Sequence, residues 1–423
     1  MMGRNSTAKL APKSESGCDS VSRTRRGLLA AVSGAVVGSS AGCLDLLGLT
    51  PQGGPGGMGG GAVYPSVSYE EADRYVESAG ALADAGQSGD IVWIEDGTYD
   101  VTGMGQIEIG SGTWIAGGRS EESAGAALVS EDRGSPGEHT MFDVQEGGRL
   151  TGLTMRGALY NYTDSPVVPG YVPLAPGGSY SSRQSWRDRH YCQAAHVTGN
   201  ETQIDNCEIW GFSTAIEVGR GEEPVNPNIF YNHIHNCMLT SDGYCVHVNS
   251  GMPSIHGCTF DAYRHAINGF GYPDAGYLVT ECQFGPHKSS FDIDMHRLEE
   301  NIGGSGDSSD YRYRHRAGGT MIVRDCVIVG TRVIDDQHHN GANAGDYDPR
   351  PYVNQHKGNE MTHVHVRGIP AEAFVFERNQ CSHFDPTTAV NQTLPGSYSG
   401  DDNGWNNVSV LENFWGVDFG LGF

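Results

Sequence analysis

The sequence predicts an all-β protein folded as a β-solenoid, in which similar coils stack on one another. Six cysteines occur in similar short sequence motifs, in which apolar residues follow the cysteine closely: Cys207, Cys237, Cys258, Cys282, Cys326 and Cys381. Successive cysteines are 30, 21, 24, 44 and 55 residues apart. A sequence motif that recurs every ~20–30 residues, with insertions, is typical of a solenoid. Each coil of a solenoid buries its apolar face only by stacking on its neighbours.

A second strand follows at a fixed distance from four of the cysteines. Ile216, Val246, Ile267 and Phe291 each stand nine residues after a cysteine, in a short segment with apolar residues. The cysteines themselves are expected to be buried thiols, since free cysteine behaves as a small hydrophobe. Side chains on neighbouring parallel strands point the same way, which is poor geometry for disulfides. The sequence contains no C-x-x-C pair with the spacing of a structural zinc site.

The N-terminus is predicted to be an export signal rather than part of the fold. Arg25 and Arg26 precede an apolar run, residues 28–37, that is too short to span a membrane. Residues 1–42 resemble a twin-arginine signal that ends in a lipoprotein box, which implies lipidation of Cys43. Residues 43–64 then form a Gly/Pro-rich tether. We therefore expect a cell-surface protein, held to the outer face of the membrane only by its lipid anchor.

The charge of the chain excludes nucleic acid as a partner. The formal net charge is −24, from 27 basic and 51 acidic residues. Removing residues 1–42 takes away six basic and two acidic residues, which leaves 21 and 49 and a net charge of −28. No basic stripe remains to neutralise phosphates. Such an acidic surface, with only Lys288 and Lys357 as lysines, resembles exported proteins of salt-loving archaea. We expect a monomer.

Residues 65–423 are expected to form a single domain that begins with a short helix. Tyr75, Val76 and Leu82 stand at helical spacing within the predicted helix 69–85. Alternation of apolar and polar residues, interrupted by Gly-containing turn sequences, then predicts short strands in 90–101, 107–109 and 113–117.

This segment resembles proteins of the pectate-lyase-like superfamily, as do the later motifs Asn-Cys-x-Ile and Gly-Phe-x-x-Ala-Ile. The resemblance covers about residues 86–416. The resemblance implies a right-handed parallel β-helix with long inserted loops. The chain departs from the family's motifs, because it has no Trp-x-Asp-His of pectate lyases and no Asn-Thr-Asp or Gly-His-Gly of polygalacturonases. A catalytic site must therefore be argued from this chain's own residues.

Strand alternation predicts one outward-facing polar column. If Val246 and Val248 point inward, His247 points outward. The same register predicts outward positions for Glu217, Asn268, Asp292, Asp294 and His296, and core positions for Phe291, Ile293 and Met295. Glu217, His247 and Asn268 are predicted to bind substrate. Asp292 and Asp294, with His296 beyond them, suit either a Ca²⁺ site or an acid/base pair for glycoside hydrolysis. The alternative is an ordinary solvated face of an acidic protein.

Arg264 and His265 precede another predicted strand at a turn. A lyase needs a base near the proton that it removes and a cation beside the neighbouring carboxylate, and these two residues suit those roles. The alternative is structural, with the arginine bonded to turn carbonyls and the histidine packed between coils. Histidines near the cysteines, including His233 and His235, are interpreted as turn residues rather than ligands.

Three insertions interrupt the coils at residues 158–190, 299–318 and 335–360. Loops of this length are usually functional or disordered. Four residues of the second and third insertions are predicted to contact substrate: Arg314, Arg316, His338 and His339. Aromatic rings stack on sugars and arginine forks bind carboxylates, which favours an anionic glycan. The sequence thus predicts a surface enzyme acting on an acidic polysaccharide, as a lyase or a glycoside hydrolase. The alternative is a non-catalytic glycan-binding or adhesive protein.

Overall fold

The structure is a computed structural model, and it describes residues 67–120, 123–135, 139–159, 191–219, 224–237, 242–285, 287–288, 290–298, 315–329, 332–333, 362–383, 386–394, 407–417 and 419. The chain divides into two units, residues 1–56 and 57–423, and every described residue belongs to the second. The predicted signal, Cys43 and the tether lie outside the described residues. Within the described part, no helix has the length and apolar character needed to cross a membrane.

The described strands form three parallel sheets. Sheet 1 contains β1 (Arg74–Val76), β2 (Ile91–Ile94), β5 (Trp114–Gly117), β8 (Arg149–Thr151), β11 (Gln203–Asp205), β14 (Asn228–Phe230), β17 (Ser254–His256), β20 (Tyr277–Thr280), β24 (Thr320–Arg324), β28 (Ala373–Glu377) and β31 (Val408–Leu411). Sheet 2 contains β3 (Gly97–Asp100), β6 (Ala126–Val129), β9 (Leu153–Arg156), β12 (Glu208–Trp210), β15 (His233–Cys237), β18 (Thr259–Tyr263), β21 (Gln283–Phe284), β22 (His287–Lys288), β25 (Val327–Ile328), β26 (Arg332–Val333), β29 (Gln380–Cys381) and β32 (Phe414–Trp415). Sheet 3 contains β4 (Ile107–Ile109), β7 (Thr140–Val144), β10 (Gln193–Val197), β13 (Thr214–Val218), β16 (Tyr244–Val248), β19 (His265–Gly269), β23 (Ile293–Met295), β27 (Val364–Val366) and β30 (Val390–Gln392).

The chain visits the three sheets in turn, and each strand pairs with its counterpart one coil away. This is a right-handed parallel β-helix, so the predicted fold class is confirmed. The motif spacing predicts two strands per coil, whereas the structure has three. The third strand of each coil lies in sheet 1 and precedes the cysteine motif. Its apolar side chains point inward and stack in register with those of the next coil, as Ile229 does with Ile255. Stacking like residues in this way gives one continuous apolar core.

The segment predicted as one helix over 69–85 contains three elements. A 3-10 turn (Tyr69–Glu71) is followed by β1 and then by helix α1 (Ala79–Ala85). Only the last part is helical, because residues 74–76 pair with β2 instead. Ser78 caps α1 by accepting a hydrogen bond from the Ala81 backbone N–H at 3.2 Å. A second short helix, α2 (Pro386–Ala389), precedes β30.

The corner between sheet 1 and sheet 2 has the same form in successive coils. In the seven described coils from β11 onward, two residues separate the strands, whereas the connections of the earlier coils vary in length and backbone. The first adopts a left-handed backbone, with φ between 53° and 61°, as at Asn206, Tyr231, Gly257, Glu281, Asp325, Arg378 and Glu412. The second residue points inward and is either cysteine or asparagine: Cys207, Asn232, Cys258, Cys282, Cys326, Asn379 and Asn413.

The six cysteines are all buried and all free, as predicted, but they occupy two kinds of position. Four belong to the corner just described, whereas Cys237 and Cys381 lie inside sheet 2 strands. At the corner, thiol and amide side chains play the same part. The Asn232 amide donates to the Ile204 carbonyl at 2.8 Å, and the Cys258 thiol lies 3.4 Å from the equivalent carbonyl, that of Ile229.

Candidate functional site

The outer face of sheet 3 carries a single file of polar side chains that runs through nine coils. We call it the polar ladder: Glu108, Asp143, His196, Glu217, His247, Asn268, Asp294, His365 and Asn391. Neighbours are in register, and coils are about 4.8 Å apart. The inner neighbours of the ladder, such as Val246 and Val248, belong to the hydrophobic core. The predicted outward positions of Glu217, His247, Asn268 and Asp294 agree with this arrangement.

A second file lies beside the ladder because the sheet 3 strands bend near their start. In β19, consecutive residues Ala266 and Ile267 both lie in the core, so His265 returns to the outer side. Its partners in register are Gln193, Thr214 and Tyr244. The Tyr244 ring stacks on His265 with centroids 5.7 Å apart, and the Phe291 ring stacks on the other side at 5.8 Å.

Asp294 is the centre of a dense charge cluster on this face. Its carboxylate is fully buried and accepts two hydrogen bonds from Arg367, from Nε at 2.9 Å and from Nη2 at 2.5 Å. The Nε2 atoms of His265 and His296 each lie 3.3 Å from Oδ2. His365 Nδ1 lies 3.7 Å from Oδ1. The structure thus brings together three residues predicted to be catalytic, Asp294, His296 and His265.

The cluster holds Asp294 ionised. Burial alone would raise the pKa of this carboxyl group, but His265, His296 and Arg367 lower it well below its usual range. Burial lowers the pKa of His265, and the Arg264 guanidinium adds to that effect despite the Asp294 carboxylate. The His265 Nδ1 donates to the Phe291 carbonyl at 3.0 Å, whereas Nε2 lies 3.3 Å from Asp294 Oδ2 and has no hydrogen-bond partner. The ring is stacked between those of Tyr244 and Phe291, so we assign it a positioning role rather than contact with a substrate.

The ladder also contains buried polar atoms that lack hydrogen-bond partners. They include His247 Nε2 and both amide atoms of Asn268. Burial lowers the pKa of His247 to about 4, although the Glu217 carboxylate opposes the shift. Glu217 accepts hydrogen bonds from Gln193 and, at 2.5 Å, from Asn249. Burial opposes ionisation of Glu217, but His247 and His196 lower its pKa below the usual value.

Asp292 does not join Asp294, contrary to the prediction that both face outward. It precedes β23 and falls in register with the inward Ala266, so its fully buried carboxylate lies inside the solenoid. There it contacts Lys288, accepts a hydrogen bond from the Tyr263 hydroxyl and lies 2.7 Å from His363 Nδ1. Burial opposes ionisation of Asp292, but Lys288 and His363 lower its pKa.

Phe291 correspondingly lies outside the core, where its ring contacts His265 and His365. The bend at the start of the strand is the physical reason for both differences. The two aspartates consequently do not form the predicted calcium site, since they have no common partner and each is paired with a basic side chain.

The remaining predicted residues divide between the site and other regions. Arg264 adjoins it, since Nη1 donates to the Tyr244 hydroxyl at 3.3 Å. Arg316 does not, because it forms a bridge with Ile369 and donates to the Pro370 carbonyl at 3.3 Å. Arg314, His338 and His339 lie outside the described residues, as does most of each predicted insertion.

Four contributors to the site were not identified from the sequence: Tyr244, Phe291, His365 and Arg367. The alternation in Val364-His365-Val366-Arg367 carries a usable signal for the last two. The sequence did not lead to a prediction here, because this strand follows a long insertion after Cys326 and no cysteine motif precedes it to set its register.

No protein-family model matches the sequence, and no curated protein matches it. Several solved structures are similar to the described fold. An alginate lyase from Paenibacillus sp. str. FPU-7 is 14% identical, with a TM-score of 0.40, over 81% of this chain and 95% of that one. Escherichia coli ybhc is 12% identical, with a TM-score of 0.43, over 84% and 87%. The catalytic unit of a GH87 α-1,3-glucanase from Streptomyces thermodiastaticus strain HF3-3 is 14% identical, with a TM-score of 0.38, over 86% and 72%. These values are too low to carry an activity over to this chain.

Proposed function

We propose that this β-helix protein cleaves an acidic polysaccharide by β-elimination on the outer face of sheet 3. The observation that carries the proposal is the group of unpartnered polar atoms at His247 and Asn268. Buried polar groups are ordinarily hydrogen-bonded, and each exception calls for a bound partner or a functional role. Here three of the exceptions, at His247 and Asn268, occupy adjacent rungs of a strip lined by aromatic rings and basic side chains, which suits an anionic sugar chain.

Elimination from a uronate requires a base for the proton beside the carboxylate. His247 is available for this role, because burial keeps its ring neutral at neutral pH, although a pKa of about 4 makes it a weaker base than an ordinary imidazole. In the tautomer that carries its hydrogen on Nδ1, the unpartnered Nε2 accepts the proton. Glu217, one rung away, stabilises the imidazolium that forms.

The other two requirements are met by neighbouring residues. The Asn268 amide and the Arg264 guanidinium supply donors to the substrate carboxylate, which accumulates charge as the proton leaves. Tyr244 supplies the proton that the departing glycosidic oxygen takes up. Burial raises the pKa of Tyr244 to about 12, so the hydroxyl is protonated at neutral pH. The Tyr244 and His247 rings are in contact, with centroids 4.9 Å apart.

Hydrolysis by a carboxylate pair is less well supported. Glu217 and Asp294 are three rungs apart, roughly 14 Å at the usual strand spacing. Glycosidases of known geometry hold their two carboxyl groups about 5–9.5 Å apart. A protonated acid is also required, whereas the pKa of each of these two carboxyl groups is lowered.

The test uses the full chain, assayed in concentrated salt against alginate and polygalacturonate with and without EDTA. Absorbance of unsaturated uronate is expected for the wild type, with a loss of about 10²-fold or more in His247→Asn and Asn268→Ala. The matched control is His256→Asn, a half-buried histidine on sheet 1. Loss of activity in EDTA, restored by Ca²⁺, would favour the calcium alternative that the sequence offered, at a site other than the Asp292 and Asp294 pair.

Other outcomes select other functions. Reducing ends without unsaturated product would indicate hydrolysis. Binding of the polymer by calorimetry without any product would indicate a glycan-binding or adhesive protein. Unchanged turnover in His247→Asn would contradict the assignment of the base.

We also propose that the chain is exported and anchored through Cys43. Support comes from the sequence alone, namely the twin arginine, the short apolar run and the position of the cysteine. Cys43→Ser is expected to move the protein from the membrane fraction to the medium. Its continued sedimentation with membranes at high salt would rule out the lipid anchor.

A further inference from the structure

A separate cluster of ligand-type side chains lies on the outer face of sheet 2. His233 and His235 alternate on β15, so both rings project from the same face. Glu208 on β12 is the partner of His233 in register. Neither histidine lies in a turn, in contrast to the interpretation from the sequence. Nothing in the proposed lyase chemistry uses this face.

The three side chains converge on one point. Glu208 Oε1 lies 3.2 Å from His235 Nε2 and 3.7 Å from His233 Nδ1. One ligand atom from each of the three residues lies within 4.8 Å of the other two. A tetrahedral ion with bonds of about 2.1 Å holds its ligands roughly 3.4 Å apart. The observed separations therefore fit ligands of a single ion after small side-chain adjustments.

Neighbouring residues orient the three side chains. Arg119 Nε lies 3.7 Å from Oε2, the other oxygen of Glu208, and its Nη1 donates to the Asn206 carbonyl at 3.3 Å. Oε1 is thereby directed to the imidazoles. The Trp210 ring stacks on His235, with centroids 5.7 Å apart and planes 8° from parallel. Such outer contacts fix ligand orientation at metal sites.

We propose that Glu208, His233 and His235 bind one divalent late first-row ion of the Zn²⁺ class. Two imidazoles and one carboxylate form a nitrogen-rich set, which suits zinc and its neighbours rather than calcium or magnesium. The side chains are partly open to solvent, from 19% for His235 to 41% for His233, so an ion can enter and keep water as its remaining ligands. Three protein ligands with open positions are typical of a reactive rather than a closed structural site.

The test uses the full chain after dialysis against EDTA and then into chelator-free buffer. Calorimetric titration with Zn²⁺ is expected to show one equivalent bound, unaffected by millimolar Ca²⁺. Glu208→Gln and His235→Ala are each expected to weaken this binding by at least about tenfold. His256→Ala, which removes a histidine of sheet 1, is the matched control and is expected to bind normally. Visible absorption of the Co²⁺ complex gives an independent readout of nitrogen ligation.

Equal Zn²⁺ affinity in the wild type and both variants would overturn the proposal, as would an absence of binding by the wild type. Thermal melting of each metal-free variant checks that loss of binding is not loss of folding. If a variant unfolds, the Co²⁺ spectrum of the wild type decides, because a purely aquo-type spectrum contradicts histidine ligation. Glycan cleavage is not used as a readout, so this test can fail while the proposed lyase function stands.

Discussion

Asp292 and Asp294 are only two residues apart, yet the bend of the chain sends them to opposite sides of sheet 3. Each is fully buried and each contacts a basic side chain, Lys288 for the first and Arg367 for the second. Buried ion pairs contribute little net stability, but removing one partner leaves a buried charge without compensation. Neither aspartate is therefore the exposed, energetically neutral carboxylate that strand alternation predicted.

Replacement of either aspartate by asparagine is expected to destabilise the protein. Asp292→Asn and Asp294→Asn should each lower the free energy of unfolding by about 3–5 kcal/mol, measured by urea denaturation. Glu108→Gln is the matched control, an exposed member of the same ladder, and should stay within about 0.5 kcal/mol of the wild type. Wild-type stability of both aspartate variants would show that the buried pairs are not formed.

His247 makes stability depend on pH in a defined window. Burial lowers its pKa to about 4 from the ordinary 6.5. Between these values the unfolded chain binds a proton that the folded chain does not, so this contribution is complete above pH 6.5 and is lost as the pH falls toward 4. At 1.36 kcal/mol per pKa unit the loss is about 3 kcal/mol.

His247→Asn is expected to remove this dependence. Its unfolding free energy should therefore fall less than that of the wild type between pH 7 and pH 4.5, measured by urea denaturation at several pH values. Parallel curves for the two proteins would mean that the His247 ring is not held neutral by burial.

At the scale of the element, the corner between sheets 1 and 2 determines how coils join. Its inner position is filled by an amide or a thiol, each of which reaches a carbonyl of the preceding coil. The asparagines also accept a backbone hydrogen bond, as Asn232 does from the Cys207 N–H at 2.9 Å. A cysteine there is thus a smaller, less complete substitute for asparagine.

Cys258→Asn is expected to be tolerated. Its amide should donate to the Ile229 carbonyl and accept from the Asn232 N–H, which leaves the free energy of unfolding within about 1 kcal/mol of the wild type. Cys258→Leu should cost about 1–3 kcal/mol, because the corner has no space for the larger side chain. Urea denaturation compares the two. A worse result for asparagine than for leucine would refute the equivalence of thiol and amide.

For the whole molecule, repetition explains which features the sequence could predict. Motifs such as the one around Cys258 recur, and a second strand follows each at a fixed distance, which predicts the stacking of coils. The outward positions of Glu217 and His247 then follow from the alternation of side chains along a strand. The bend before Ile293 could not be predicted, because it breaks alternation without any glycine or proline to mark it. The cluster around Asp294 depends on Arg367, which a long insertion separates from it in sequence, and no periodic signal spans that gap.

From β11 onward, the corner between sheets 1 and 2 should tolerate no change in length. One glycine inserted after Glu281 should shift the following strand by a residue and turn its core side chains outward. We expect an unfolded or aggregated product by size-exclusion chromatography and circular dichroism. The matched insertion after Met104, an exposed residue between β3 and β4, should cost less than about 1 kcal/mol. Equal tolerance of both insertions would mean that the corner does not set the register.

From β11 onward the corner between sheets 1 and 2 has a constant length, so coils of different size stay aligned along one edge of the solenoid. Asp294 and Arg367 are 73 residues apart in sequence, yet their side chains are in direct contact. Distance along the chain is therefore uncoupled from distance along the polar ladder. Evolution, or a protein engineer, can lengthen a coil at either of the other two corners and change what surrounds the polar ladder, while the spacing of the ladder residues stays the same.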